Sequence, residues 1–207
     1  PTTFIPALEE SGFVVTLDKY VWQGVASWLR ECIDRGLRVV PISLNVSRVD
    51  ILACDVAEHM GALAAQYNLP PELMRIEITE TAYTGESEAV DKLTADLHTR
   101  GFSTYMDDFG TGQSTLAMLK NVNVDVIKLD RTFVPTDRDQ SRSAQIVSSM
   151  LEMAQSLHLP VVIEGVETDE QASMLRQMGA RYAQGFLYYR PMQAEDFEAL
   201  LDGGGRN

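Results

Sequence analysis

The feature that most constrains the fold is a regular alternation between two hydrophobic periods. Short apolar runs typical of strands are separated by longer stretches in which apolar residues recur every three or four positions, as on one face of a helix. The strand-like runs are 39–44, 74–78, 102–106, 124–129, 161–163 and 181–186. Strands that alternate with helices favour a parallel sheet with right-handed crossovers.

The helical patterns fill the intervals between these runs. They cover 17–32, a looser stretch at 51–67, then 90–97, 146–157 and 194–201. One helix also shows its ends: Thr168 and Gln171 have the spacing of a capping box, and Gly179 is expected to end that helix. Because no linker or change in composition interrupts the chain, we expect one domain over 1–202. The Gly-rich residues 203–207 are expected to form a disordered tail.

Polar or charged residues lie at or near the C-terminal end of every strand-like run. In an open sheet only the switch point binds a ligand, whereas in a barrel all strand ends converge on one ring. These residues are Asn45, Glu77 and Glu80, Asp107 and Asp108, Lys128 and Asp130, Glu164 and Glu167, and Gln184. Six polar strand ends therefore favour a barrel with a single central site over an open doubly wound sheet.

The adjacent acids Asp107 and Asp108 are the most informative of these residues. Two neighbouring carboxylates repel each other, and a divalent cation would cancel that repulsion. A helix N-cap is the alternative, but one Asp suffices for a cap, and Gly110-Thr111-Gly112 follows the pair. Oxygen ligands suit Mg²⁺ or Mn²⁺, and two such ions about 3.5–4 Å apart can clamp a phosphodiester.

Composition excludes some kinds of protein. With 30 acidic against 17 basic residues, the net charge is −13, which argues against binding to duplex nucleic acid. Acidic surface can simply confer solubility, although a phosphate ligand could still be held through metal ions. Cys32 and Cys54 are expected to be free thiols, and the three histidines to be surface or helix-end residues. The absence of an apolar run long enough for a membrane span, and of a signal peptide, predicts a cytoplasmic location. A longer parent protein could still be anchored to a membrane through other domains.

The motifs together resemble those of the EAL-domain cyclic di-GMP phosphodiesterases of bacterial signalling. The resemblance runs from Pro1 to about Met192. The matching stretches are Phe4-Ile5-Pro6-Ala7-Leu8-Glu9, Leu44-Asn45-Val46-Ser47, Glu77-Ile78-Thr79-Glu80, Asp107-Asp108-Phe109-Gly110-Thr111-Gly112, Lys128-Leu129-Asp130-Arg131, Glu164-Gly165-Val166-Glu167-Thr168, Gln184-Gly185-Phe186 and Arg190-Pro191.

This resemblance implies a modified TIM (β/α)8-type barrel that hydrolyses cyclic di-GMP to the linear dinucleotide with two Mg²⁺ or Mn²⁺ ions. The residue roles that it implies fall into four groups. They are metal ligation by Asn45, Glu77, Asp107, Asp108 and Glu164; catalysis by Glu164 and Lys128; substrate contact by Gln184, Asp130 and Arg190; and control of a loop or dimer by Glu80, Gly110, Thr111, Gly112 and Glu167.

The Glu-Ala-Leu motif that names the family is absent and would lie upstream of Pro1. About six of the eight βα units are then present, and we expect the chain alone to be weakly active or inactive. The resemblance also implies a parent protein with a fused sensor or GGDEF domain, and allows a homodimer. A non-catalytic cyclic di-GMP receptor or protein-interaction module, and an unrelated metal-dependent barrel enzyme, are the alternatives.

Overall fold

The computed structural model describes residues 3–111, 123–134 and 140–203, and its architecture is α/β with parallel strands. The chain divides into two compact units. Unit 1 comprises 1–78, 85–104 and 192–207, and unit 2 comprises 79–84 and 105–191.

Unit 1 consists of two parallel strands and several helices. Strand β1 pairs with β2 in a register that sets Asn45 opposite Glu77. The elements are α1 (Ile5–Ser11), α2 (Val14–Asp34), β1 (Ile42–Val46), α3 (Arg48–Ala53), α4 (Val56–Gln66), β2 (Met74–Thr79), α6 (Ser87–Thr99) and α9 (Ala194–Gly203).

The core of unit 1 forms around the long helix α2. Its buried residues recur at helical spacing, and four of them, Trp22, Ala26, Leu29 and Cys32, are at most 1% exposed. The helix packs against β1, α3 and α4. Its C-terminal half also holds α9, because the Trp28 indole N–H donates to Glu198 Oε1 at 2.9 Å.

A pair of carboxyl groups links α2 to α3 in this unit. Asp50 is fully buried and accepts hydrogen bonds from Ser47 N at 2.8 Å and Ser47 Oγ at 2.6 Å. Burial, a hydrogen bond with Asp50, and the charges of Asp50 and Glu9 raise the pKa of Asp18 from 3.8 to about 7. Asp18 is therefore protonated in the folded protein over a pH range in which it is ionised in the unfolded chain.

We expect the stability of the protein to fall as the pH rises through this range. The folded-state pKa of Asp18 lies above the unfolded value, so its contribution is fully present below pH 3.8 and is lost as the pH approaches about 7. Asp18→Asn, which mimics the protonated acid, should flatten this slope and raise the free energy of unfolding at about pH 8 by roughly 1–2 kcal/mol, a value discounted for partial solvation of Asp18. Urea unfolding at about pH 5.5 and pH 8 measures both effects. Asp91→Asn, at an exposed aspartate of α6, is the control and should leave the slope unchanged.

Unit 2 contains the remaining strands, in the parallel order β3-β4-β5-β6. Its buried core includes Met106, Ile127, Leu129 and Ile163, each at most 2% exposed. The elements are α5 (Glu80–Gly85), β3 (Ser103–Phe109, of which 105–109 lie in unit 2), β4 (Val126–Leu129), α7 (Gln140–Ser156), β5 (Val161–Ile163), α8 (Asp169–Gln177) and β6 (Tyr182–Ala183).

The apolar runs predicted all six strands, but several of the predicted boundaries were wrong. Strand β1 begins at Ile42 rather than at 39, because Pro41 cannot donate to a neighbouring strand. The pattern over 51–67 is two helices rather than one, since Asp55 caps a new helix by accepting from Glu58 N at 2.9 Å. The last strand ends at Ala183, two residues before a turn in which Tyr188 N donates to Gly185 O.

Two predicted helix ends can be compared directly with the structure. Thr168 and Gln171 form the capping box, and Gly179, with φ +93°, follows the C-cap Met178 of α8. At the C-terminus, Gly203 is the last residue of α9, and 204–207 lie outside the described residues. In the described parts of the chain, no helix has the length and apolar character that crossing a membrane requires.

Candidate active site

The two adjacent acids of β3 lie in a β-bulge. Met106 pairs with Ile127 and Phe109 pairs with Leu129, so Asp107 and Asp108 together face the single residue Lys128 of β4. In a regular strand, successive side chains point to opposite faces. Here Asp108 adopts the left-handed conformation, with φ +55°, which aspartate tolerates better than most residues. As a result, both carboxylates can serve one site.

Lys128 lies between two carboxylates. Its Nζ is 2.8 Å from Asp107 Oδ1 and 2.9 Å from Glu164 Oε1. The lysine is 5% exposed, and its neighbours Ile127 and Leu129 are also buried, as in a strand covered on both faces. A buried ammonium is costly unless it is paired, and the two carboxylates provide that pairing.

Three carboxylates can converge on one cation in unit 2. Oxygens of Asp107, Asp108 and Glu164 all lie within 4.8 Å of one another. In the contacts described above, these three carboxylates pair with one ammonium group, that of Lys128. Three negative charges and one positive charge leave the cluster with a net charge of −2. Hard oxygen donors with this charge excess fit Mg²⁺ or Mn²⁺, so the donor set suits the metal that the sequence predicted.

Backbone contacts hold Glu164 at the end of β5. Its N–H donates to Leu129 O at 3.0 Å, which continues the pairing with β4. Gly165 follows with φ +74°, and a Cβ at this position would lie 2.3 Å from Arg131 Cβ. Only glycine fits there. The sequence motif contained this glycine, but no local pattern showed that Arg131 packs against it.

A hydrogen bond to Glu80 anchors the turn after Asp108, and the role of Glu80 in loop control stays a prediction. Glu80 is fully buried, and its Oε2 accepts from Gly110 N at 2.6 Å. Gly110 has φ +95°, and a Cβ there would lie 2.5 Å from the Phe133 ring. Thr111 adds two hydrogen bonds to Asp108 O, from its backbone N at 3.2 Å and from its Oγ1 at 2.9 Å.

Glu80→Gln should destabilise the protein by about 1–2 kcal/mol, because a charge-assisted hydrogen bond becomes a neutral one while the side-chain size is kept. Chemical denaturation of both proteins measures the difference. Glu152→Gln, the same change at an exposed glutamate of α7, is the control and should change stability by less than about 0.5 kcal/mol. An equal effect of the two changes would contradict this role of Glu80.

Two predicted metal ligands, Asn45 and Glu77, lie in unit 1. They face each other across the β1–β2 pair. Asn45 is exposed, between Leu44 and Val46, which are each 1% exposed, whereas Glu77 is 8% exposed. The Asn45 carbonyl accepts a hydrogen bond from Trp22 Nε1 at 2.9 Å. The parallel register of β1 and β2 thus places these two residues side by side.

The predicted substrate-contacting residues show varied local roles. Asp130 caps a short 3-10 turn by accepting from Thr132 N at 2.9 Å. Burial acts to raise the pKa of Asp130, but hydrogen bonds from Thr132 and Arg131 and the charge of Arg131 outweigh it, so the pKa lies below its usual value. The exposed Gln184 continues the β5–β6 pairing through its N–H, which is 2.8 Å from Ile163 O.

Three further predicted residues lie outside the carboxylate cluster or outside the described residues. The Arg190 guanidinium lies over the Phe186 ring, 4.6 Å from its centroid. Glu167 is exposed, and its N–H donates to Gln171 Oε1 at 2.8 Å, next to the capping box of α8. Gly112, the last glycine of the predicted loop, lies outside the described residues.

Comparison with known proteins places this arrangement in a family. The EAL domain model matches residues 1–191. Cyclic di-GMP phosphodiesterase RocR of Pseudomonas aeruginosa is 35% identical over 206 residues, which are 98% of this chain and 52% of that protein. The bifunctional diguanylate cyclase/cyclic di-GMP phosphodiesterase MucR of the same organism is 31% identical over 201 residues, and the chain spans only 29% of it. The chain therefore spans about half or less of the length of these curated relatives.

Solved structures agree with the sequence comparison. The MucR phosphodiesterase in complex with c-di-GMP superposes with a TM-score of 0.87 at 29% identity, over 95% of this chain and 86% of that one. The manganese/cy-diGMP complex of Klebsiella pneumoniae BlrP1 gives a TM-score of 0.76 at 28% identity, over 86% of this chain and 45% of that one. The TIM-barrel-like fold of these domains agrees with the predicted fold class. With the family model covering 1–191 and the carboxylates at the predicted strand ends, this chain belongs to the EAL domain family.

Proposed function

We propose that this chain is the catalytic part of a cyclic di-GMP phosphodiesterase that opens the cyclic dinucleotide to its linear form. The observation that carries the proposal is the placement of Lys128 Nζ between Asp107 and Glu164, beside Asp108. The cluster combines oxygen donors for a divalent cation with a cationic hydrogen-bond donor. Relatives and structural neighbours of this chain are named for the same activity or contain the same nucleotide.

The residues have distinct roles in this proposal. Asp107, Asp108 and Glu164 would hold one divalent cation, and Asn45 and Glu77 would contribute to the second ion that the resemblance implies. The chemistry that such ions would supply, when bound, is neutralisation of the phosphodiester charge and a more acidic water molecule. Lys128 donates a hydrogen bond to the attacking water and stabilises its developing negative charge, while Glu164 accepts the proton. The other proposed roles are substrate contact for Gln184, Asp130 and Arg190, and loop or dimer control for Glu80, Gly110, Thr111, Gly112 and Glu167.

Retention of both Lys128 and Glu164 favours catalysis over a receptor that only binds the nucleotide. A receptor needs complementary groups for the ligand, but it does not need a buried ammonium placed to contact a water molecule or a carboxylate placed to accept its proton. The binding and hydrolysis readouts of the following experiment separate the two functions.

The test is an assay of cyclic di-GMP hydrolysis with Mg²⁺ or Mn²⁺, in which chromatography separates the linear product. It compares the 207-residue chain with a form extended upstream to include a Glu-Ala-Leu strand. We expect turnover by the extended form and weak or no turnover by the shorter chain. Nucleotide binding without turnover by the extended form would support the receptor instead. Failure of both forms to bind or hydrolyse the nucleotide would contradict the proposal.

We further propose that residues 1–202 form one EAL-type barrel domain of a longer cytoplasmic protein with a sensor or GGDEF domain. The support is that the chain spans 52% of RocR and 29% of the bifunctional MucR. A homodimer controlled through the turn after Asp108 is part of the same proposal. Light scattering of the parent protein, with and without nucleotide, tests the oligomeric state.

A further inference from the structure

We propose that Trp22 is a positioning residue for Asn45. The buried indole fixes the backbone that carries the Asn45 side chain, and it thereby sets the geometry of a divalent cation bound through that side chain. The inference rests on the proposed function, which assigns Asn45 to a metal ion.

The contact links the core of unit 1 to the end of a strand. Trp22 lies in α2 and is 1% exposed. Its Nε1 donates to Asn45 O at 2.9 Å. A buried indole N–H that lacks an acceptor is costly, so the fold must supply a carbonyl at this point. The acceptor is the carbonyl of Asn45 itself.

The indole is held from a second helix. His59 of α4 lies against it, with 5.7 Å between the ring centroids and an angle of 55° between the ring planes. Burial, with the charge of Lys19, lowers the pKa of His59 below its usual value, so the ring is neutral at about pH 7. Because residues of α2 and α4 both hold the indole, its N–H has a fixed position, and this position fixes the Asn45 carbonyl of β1.

An asparagine ligand such as Asn45 depends on a fixed backbone position more than a carboxylate ligand does. Its flanking residues Leu44 and Val46 are anchored in the core, while its own side chain is exposed. The Asn45 side-chain amide is neutral, whereas the opposite residue, Glu77, has a carboxylate. A cation attracts the neutral amide oxygen less strongly than it attracts the carboxylate, so the position of the Asn45 side chain depends more on the backbone. A displaced Asn45 carbonyl shifts the Cα and swings the side chain away from the ion, as happens when supporting contacts of a metal site are lost.

The test replaces one hydrogen bond and uses a matched control. Trp22→Phe removes the N–H that reaches Asn45. Trp28→Phe removes an indole N–H of the same helix that reaches Glu198 instead. In the metal-free protein, the amide resonance of Val46, which shares its peptide group with the Asn45 carbonyl, should shift in Trp22→Phe and remain in place in Trp28→Phe. Titration of the upstream-extended protein with Mn²⁺ should then show roughly tenfold weaker binding in Trp22→Phe and unchanged binding in Trp28→Phe.

A double-mutant cycle separates positioning from general destabilisation. In an Asn45→Ala background, Trp22→Phe should no longer weaken Mn²⁺ binding, because the ligand that it positions is gone. The same tenfold loss in both backgrounds would contradict the inference, as would equal effects of the two tryptophan changes. If Trp22→Phe does not fold, a benzothienylalanine at position 22, which keeps the ring shape without the N–H, gives the same comparison. Absence of Mn²⁺ binding in the upstream-extended protein would instead contradict the proposed function.

Discussion

Asp107→Asn should abolish nearly all hydrolysis of cyclic di-GMP by the upstream-extended protein, with a loss of roughly 10³-fold or more, equivalent to about 4 kcal/mol of transition-state stabilisation. Asp107 faces Lys128 across the bulge and shares the carboxylate cluster with Asp108 and Glu164. An asparagine keeps the shape but halves the charge excess of the cluster, so metal affinity and the neutralisation of the phosphodiester both fall. Steady-state kinetics over a range of Mn²⁺ concentrations measure this loss.

The fold should survive this change, because Lys128 keeps its ion pair with Glu164 at 2.9 Å. Asp125→Asn makes the same chemical change at an exposed aspartate of the same unit and is the matched control. We expect the control to keep its activity and its stabilisation by Mn²⁺, and Asp107→Asn to lose both. Hydrolysis that survives Asp107→Asn would contradict the two-metal proposal.

Local patterns were enough to predict the parallel α/β fold and to group several residues of the candidate site. Strands end where apolar runs end, and parallel strands deliver their terminal side chains to the same edge. For this reason Asp107, Asp108, Lys128 and Glu164 could be grouped from the order of residues along the chain. The structure brings these four residues of unit 2 together. It also pairs Asn45 with Glu77 in unit 1.

Features that depend on distant partners could not be predicted in this way. The bulge at Asp107 and Asp108 exists because two residues of β3 face one residue of β4, and the sequence of a single strand does not encode that register. The hydrogen bond from Trp22 to Asn45 joins residues 23 positions apart, and an apolar stripe gives no sign of it. The boundary of β6 also differed, because Gly185 packs against the Val166 backbone, where a Cβ would lie 2.1 Å from the carbonyl oxygen.

Lys128→Met should lower both stability and activity, and added metal should recover the stability but not the activity. Methionine keeps the apolar stem of the lysine but removes the ammonium, which leaves Asp107 and Glu164 close together without the cation that they share. In metal-free protein, the loss of a buried ion-pair partner should lower the free energy of unfolding by about 3 kcal/mol. Saturating Mn²⁺ should recover most of this loss, because a divalent cation can neutralise the same carboxylates.

Hydrolysis by the upstream-extended Lys128→Met protein should remain at least about 10²-fold below the unmodified level even with saturating Mn²⁺, because no cationic donor then contacts the attacking water. Lys92→Met, at an exposed lysine of α6, is the control and should change neither stability nor turnover. Denaturation curves and initial rates measured on the same samples separate the two effects. If Mn²⁺ restored activity together with stability, Lys128 would be a structural counter-ion rather than a catalytic residue. If Mn²⁺ restored neither, the carboxylate cluster would not be a metal site.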